Sequence, residues 1–140
     1  MIDIKSLKVD DNLIEKTRKV IQENINAYAE ASRDFNPIHI DPAFAAGTAA
    51  GGTIAHGMLI LAYCSQMMTE NFGKYWVESG KFNIRFKMPA RPDDMLKIRG
   101  KVNRIQDEES TRLISCEILC SNQKDEVIIS GEAKVRVEND

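Results

Sequence analysis

No apolar run in this 140-residue sequence is long enough to cross a bilayer. The longest, around Gly57 to Met68, is broken by polar residues. The first residues, MIDIKSLKVDDN, are charged and contain no apolar stretch, so no signal peptide is expected. Charge of either sign is not in excess either: 19 lysines and arginines stand against 21 acidic residues. A nucleic-acid binder needs a basic face, which this balance does not supply. The expectation is a cytoplasmic protein that binds neither membrane nor nucleic acid.

Cysteine is scarce. Cys64, Cys116 and Cys120 make an odd number without CxxC spacing, so neither a disulfide framework nor a zinc site is expected. Cys116 and Cys120 would lie on one face of a strand, about 13 Å apart at ~3.3 Å per residue and beyond disulfide reach. Buried small hydrophobes is the plain expectation for them. Repeats, low-complexity tracts and Pro/Ser-rich linkers are absent too, so residues 1–140 are read as one domain.

What is present is a change of period. Lys16 to Gln22 reads as a short strand. Asn24 is a candidate N-cap for a helix with Ile25, Tyr28, Ala29 and Ser32 at helical spacing, ending before Asn36-Pro37. A loop spans Asp34 to Asp41 (DFNPIHID). Asp41 and Pro42 then open a short helix, PAFAAGT, which Gly51-Gly52 breaks. From Gly57, GMLILAYCSQMMTENF has helical length and is apolar almost all round its first half, the mark of a helix that is normally buried. After Gly73 the period drops to two. Four strands follow, marked by Phe82 to Met88, Leu96 to Val102, Ile114 to Cys120 and Val127 to Val137. Turns are expected at Asp107-Glu108-Glu109 and Asn122 to Asp125. Four sequential antiparallel strands predict a meander whose apolar face needs a cover, and the Gly57–Phe72 helix is the one available. The expected class is α+β, an antiparallel sheet wrapped around one long central α-helix, the arrangement called a hot-dog fold.

The chemistry-bearing residues gather in DFNPIH. Asp34 and His39 lie five positions apart across an Asn36-Pro37 turn, and the proline limits the freedom of a segment that must hold two side chains in one geometry. A carboxylate and an imidazole that share one water can add it across an activated double bond by general acid–base catalysis. The charge that builds on a thioester oxygen then needs a donor. In Thr53 to Met58 (TIAHGM), Gly57 would open the long helix, where backbone N–H groups lack internal partners and the dipole is positive. Glycine also lets a substrate approach closely.

The stretch YAEASRDFNPIHIDPAFAA, followed after a short gap by TIAHGML, resembles the signature of MaoC-like dehydratases, the (R)-specific enoyl-CoA hydratases and related (R)-3-hydroxyacyl-thioester dehydratases. The resemblance covers nearly the whole chain. It implies a hot-dog fold, a homodimer or higher homo-oligomer, and a substrate that is an acyl-CoA or acyl-carrier-protein thioester. No cofactor and no metal is implied. Asp34 and His39 match the water-activating pair, Gly57 the oxyanion amide, Asn36 and Pro37 the turn between the pair, and Ser65 a substrate-proximal serine. One departure stands out: the family commonly has glycine before the aspartate, and here that residue is Arg33.

Plainer roles exist for the same residues. Asp34 suits a turn without catalysis, and His39 suits a satisfied core histidine. His56 suits fixing the turn into the helix, and Ser65 suits a bond to the preceding helical turn. Met58, Met67 and Met68 suit core filling. Two other functions share the fold: an acyl-CoA thioesterase, for which the DFNPIH loop has no obvious use, and a non-catalytic acyl-thioester-binding subunit, which would not need both Asp34 and His39. A fold alone does not separate the three.

Overall fold

The computed structural model describes residues 2–139. Its elements are β1 (Lys16–Lys19), α1 (Gln22–Ser32), α2 (Pro37–Ile40), α3 (Pro42–Ala46), α4 (Gly57–Phe72), α5 (Lys74–Ser79), β2 (Lys81–Phe86), β3 (Met95–Asp107), β4 (Thr111–Ser121) and β5 (Val127–Glu138). Among the described residues no helix is long and apolar enough to cross a membrane.

All five strands form one antiparallel sheet in the order β1-β3-β4-β5-β2. The α+β expectation of an antiparallel sheet packed on one long helix holds. The expected four-strand meander does not. β3, β4 and β5 are joined by hairpins at the expected turns, but β2 pairs with β5, not with β3. Between β2 and β3 the chain runs through Lys87 to Asp94 with Pro89 and Pro92, a connection too proline-rich to close a hairpin. Alternation identifies strands, whereas their neighbours are chosen by connections and by the core.

The core lies between the sheet and α4. Leu59, Ile60, Tyr63, Cys64, Met67, Met68 and Phe72 form the buried stripe of the helix, facing Leu96, Ile98, Ile114, Cys116, Ile118, Cys120, Ile129 and Val135. The opposite side of α4 is exposed: Met58, read as core filling, is 56% accessible, while Met67 and Met68 are fully buried. Asn71 is buried on the apolar stripe without an unmet bond. Its Oδ1 accepts from the Ile14 N–H, and its Nδ2 donates to the carbonyls of Ile14 and Met67. It ties the N-terminal segment to the central helix. All three cysteines are free and buried, as expected.

Local boundaries differ where side-chain signals mislead. Helix α1 starts at Gln22, with Ile21 at its N-cap and no side-chain cap, rather than from Asn24. Gln22 thus belongs to the helix and not to the first strand. Asp41 caps α3 as expected, its carboxylate accepting from the Phe44 N–H, but α3 ends at Ala46 with Gly47 as its C-cap, well before Gly51-Gly52. The DFNPIHID loop contains a helical turn, α2, which Asn36 caps and Pro37 opens. Between Gly73 and Gly80 lies α5, where an immediate switch to strand was expected. Six residues are too few to show a helical period.

Candidate active site

Helix α1 ends at Arg33 in the left-handed conformation (φ 63°), and this reversal swings the next residue, Asp34, off the helix axis. The Asp34 N–H donates to Ser32 Oγ at 3.2 Å, and Asp34 Oδ1 accepts from the Asn36 N–H at 3.2 Å. One carboxylate oxygen is therefore committed to the turn and the other, Oδ2, is free of it. Asn36 Oδ1 in turn accepts from the Ile38 N–H at 3.1 Å and caps α2. Through this single turn of helix the chain carries His39 back toward Asp34.

Two contacts orient the His39 ring. Its Nδ1 lies 2.8 Å from the Ile54 carbonyl, which can only accept, so Nδ1 carries the proton and Nε2 is left as a base. Nε2 faces Asp34 Oδ2 at 3.9 Å, beyond direct hydrogen-bond distance. The His39 side chain is 13% accessible and that of Asp34 52%, so the pair sits at a boundary between core and solvent.

A cleft of about 290 Å³ opens beside this pair. It is walled by His39, Ile54, Ala55, Gly57, Ile60 and Phe86, with Lys87 to Ala90 and Ile128 completing it. Gly57 is the first residue of α4, and the first amide of the helix with a backbone acceptor is that of Leu59, bonded to the His56 carbonyl. The Gly57 amide thus belongs to the unpaired, electropositive end of a 16-residue helix. The Phe86 ring lies on this glycine: a Cβ there would come within 3.0 Å of Phe86 Cε1.

The fold thus brings Asp34, His39 and Gly57 together, with Asn36 in the turn between the pair. Ser65 is two turns farther along α4 and does not line the cleft. Its Oγ accepts from Trp76 Nε1 at 2.8 Å, which anchors α5 to α4. Sequence reasoning missed Phe86, whose only signal was its place in an alternating strand, and the Ile54 carbonyl, which has no side-chain signal at all.

Nitrogens of His39 and His56 and an oxygen of Asp34 lie within 4.8 Å of one another. The nearby Asp41 is not part of this cluster; its carboxylate caps α3. The two imidazoles are stacked, with centroids 3.8 Å apart and planes at 26°. Their in-plane lone pairs run alongside each other rather than converging, and His56 Nε2 is engaged by the Asp34 carbonyl. The trio does not have the geometry of a chelate, in which each nitrogen points its lone pair at one ion.

Comparison with known proteins gives a consistent answer. The family model described as "MaoC like domain" matches residues 7–119. The (R)-specific enoyl-CoA hydratase of Aeromonas caviae is 32% identical over 114 residues, covering 81% of this chain and 83% of that protein. The mitochondrial 3-hydroxyacyl-[acyl-carrier-protein] dehydratase of Arabidopsis thaliana is 31% identical over 137 residues, covering 95% of this chain and 79% of that one. Among solved structures, the unliganded R-hydratase PhaJ1 of Pseudomonas aeruginosa superposes with a TM-score of 0.83 at 25% identity, over 96% of this chain and 84% of that one.

Proposed function

Since the chain belongs to the MaoC-like domain family, we propose that it is a hydro-lyase for acyl thioesters, an (R)-specific enoyl-thioester hydratase and, in reverse, a (R)-3-hydroxyacyl-thioester dehydratase. The observation that carries the reading is the opposition of Asp34 Oδ2 and the unprotonated His39 Nε2 at 3.9 Å, at the edge of an apolar cleft whose wall includes the Gly57 end of α4.

The chemistry follows from these groups. A water held between Asp34 Oδ2 and His39 Nε2 loses a proton to the pair as its oxygen bonds to Cβ of the enoyl thioester. The electrons of the double bond move toward the thioester, and the oxygen gains negative charge. The Gly57 amide and the dipole of α4 stabilise that charge. A proton returned from the pair to Cα completes the addition, and the 3-hydroxyacyl thioester leaves. The apolar walls Ile54, Ala55, Ile60 and Ile128 suit an acyl chain. Asn36 serves this site by setting the turn that separates the pair, and Ser65 serves it at one remove, by fixing α5 on α4.

The thioester carrier is coenzyme A or acyl carrier protein, and the protein acts in the cytoplasm as a single domain over 1–140. Exposed apolar side chains mark the rim of the site: Phe35 next to Asp34, Met58 next to Gly57, and Phe86 and Met88 on the cleft wall. Assembly into a homodimer or larger homo-oligomer would cover them.

The test is hydration of crotonyl-CoA, followed as loss of the conjugated enoyl absorbance, with Asp34→Asn and His39→Gln run beside the wild type. Each variant is expected to lose roughly 10²–10⁴-fold in kcat while remaining folded. Chiral analysis of the product should give the (R)-3-hydroxyacyl thioester. Release of free thiol without hydration would instead identify a thioesterase.

A further inference from the structure

His56 stands in the TIAHGM stretch but has no part in the mechanism above, yet it touches both members of the pair. It occupies the N-cap position of α4 but makes no side-chain capping bond. Instead its Nε2 lies 3.0 Å from the Asp34 main-chain carbonyl, and its ring stacks on His39 with centroids 3.8 Å apart. The Tyr28 ring, from α1, lies beside it with centroids 4.9 Å apart and planes tilted by 56°. The side chain is almost wholly buried, with 3% of the residue accessible.

The hydrogen bond fixes its chemistry. A carbonyl can only accept, so the proton of the neutral imidazole is on Nε2. Nδ1 is then a bare acceptor, and it is buried without a hydrogen-bond partner. An orphaned buried nitrogen costs stability, and a histidine retained under that cost calls for a use.

We propose that His56 is the positioning residue of the Asp34–His39 pair, an inference that rests on the hydro-lyase reading above. Its Nε2–H holds the Asp34 main chain, and hence the depth of the carboxylate. Its ring face confines His39 to the plane in which Nδ1 meets the Ile54 carbonyl and Nε2 meets the Asp34 carboxylate. The same face lies against the imidazolium that His39 becomes after taking a proton from water, an electrostatically favourable contact for a cation. The groups packed around His56 that bear on this are Asp34, His39 and Tyr28, from the loop after α1, from α2 and from α1.

Two substitutions separate the two contacts. His56→Gln keeps an N–H donor but no ring, whereas His56→Phe keeps a ring face but no donor. On crotonyl-CoA each is expected to lower kcat by about tenfold or more, with KM within about twofold of wild type, as for interactions made chiefly in the transition state. Thermal melts establish the folded fraction, and wild-type kcat per folded molecule in both variants overturns the proposal. Ring ¹⁵N shifts give a second readout that needs no activity. The wild type should show His39 as the Nδ1–H tautomer and His56 as the Nε2–H tautomer, with the His39 signals moving toward a mixture in both variants. Unmoved His39 signals overturn the positioning contact. A wild type that hydrates nothing while His39 still responds to His56 overturns the hydro-lyase reading and leaves the contact standing.

Discussion

Arg33 is an unusual residue to find at φ 63°. Among the described residues the other non-glycine positions with positive φ are all aspartates, Asp10, Asp93 and Asp125, whose short polar side chains tolerate this region. Arginine has no such accommodation, and the left-handed conformation costs an L-residue roughly 1–2 kcal/mol. The structure thereby explains the glycine that MaoC-like sequences commonly carry here: the chain must reverse to point the aspartate at the histidine, and glycine does this without strain. Arg33→Gly should therefore stabilise the protein, by about 0.5–1 kcal/mol once the greater freedom of an unfolded glycine is subtracted. A urea titration reads this as a higher midpoint at unchanged slope, and a lower midpoint would show that the arginine side chain makes compensating contacts. At this scale the sequence was most legible. Asp34, His39 and Gly57 could be picked out because their motifs are local: the six residues Asp34 to His39 hold the pair, and a helix start holds the amide. His56 and Phe86 were hidden for the opposite reason. A stacked ring 17 residues from His39 and an aromatic 29 residues from Gly57 become neighbours only through the fold.

At the scale of elements, Gly57 to Phe72 was readable to the residue, because sixteen residues give the apolar stripe time to repeat. α2 and α5 were not, being four and six residues long. The pairing of β2 was also hidden, and one glycine shows how it is enforced. Gly131 of β5 stands opposite Ile84 of β2, and a Cβ built on it would lie 2.3 Å from the Asn83 carbonyl oxygen and 2.6 Å from Ile84 Cα. These are backbone atoms that cannot move aside without parting the strands. Gly131→Ala should accordingly destabilise by about 1–3 kcal/mol, the usual range for overpacking. Because β2 carries Phe86 onto Gly57, the damage should reach the site. Hydrogen exchange would show it as faster exchange concentrated in β2 and β5. Uniform acceleration across the sheet, or none, would mean that this close approach does not hold the edge strand.

The whole molecule is one sheet curved over one helix, and its three thiols sit where those two layers meet. Burial, with the Glu132 charge second, pushes the Cys116 thiol up to about 12. Cys120 is raised first by its contact with Cys64 on α4 and then by burial. A thiol is neutral when protonated, so the raised folded values mean that the native state holds these protons more tightly than the unfolded chain does. The stabilisation is complete below about pH 8.5, where the unfolded thiol is still protonated. It is lost as pH rises from there toward 12, with a slope of at most about 1.4 kcal/mol per pH unit for each thiol. Two outcomes follow. At pH 8 an aromatic disulfide reagent should find no fast-reacting thiol in the native protein and three in denaturant. Between pH 9 and 11 the urea midpoint should fall, and it should fall less steeply in Cys116→Ala, which removes one of the two raised thiols. The comparison of slopes carries the argument, because it isolates the one thiol that the variant removes. An equal slope in the variant would mean that Cys116 ionises as readily inside the sheet–helix sandwich as outside it. That would place water in the layer that α4 is there to exclude.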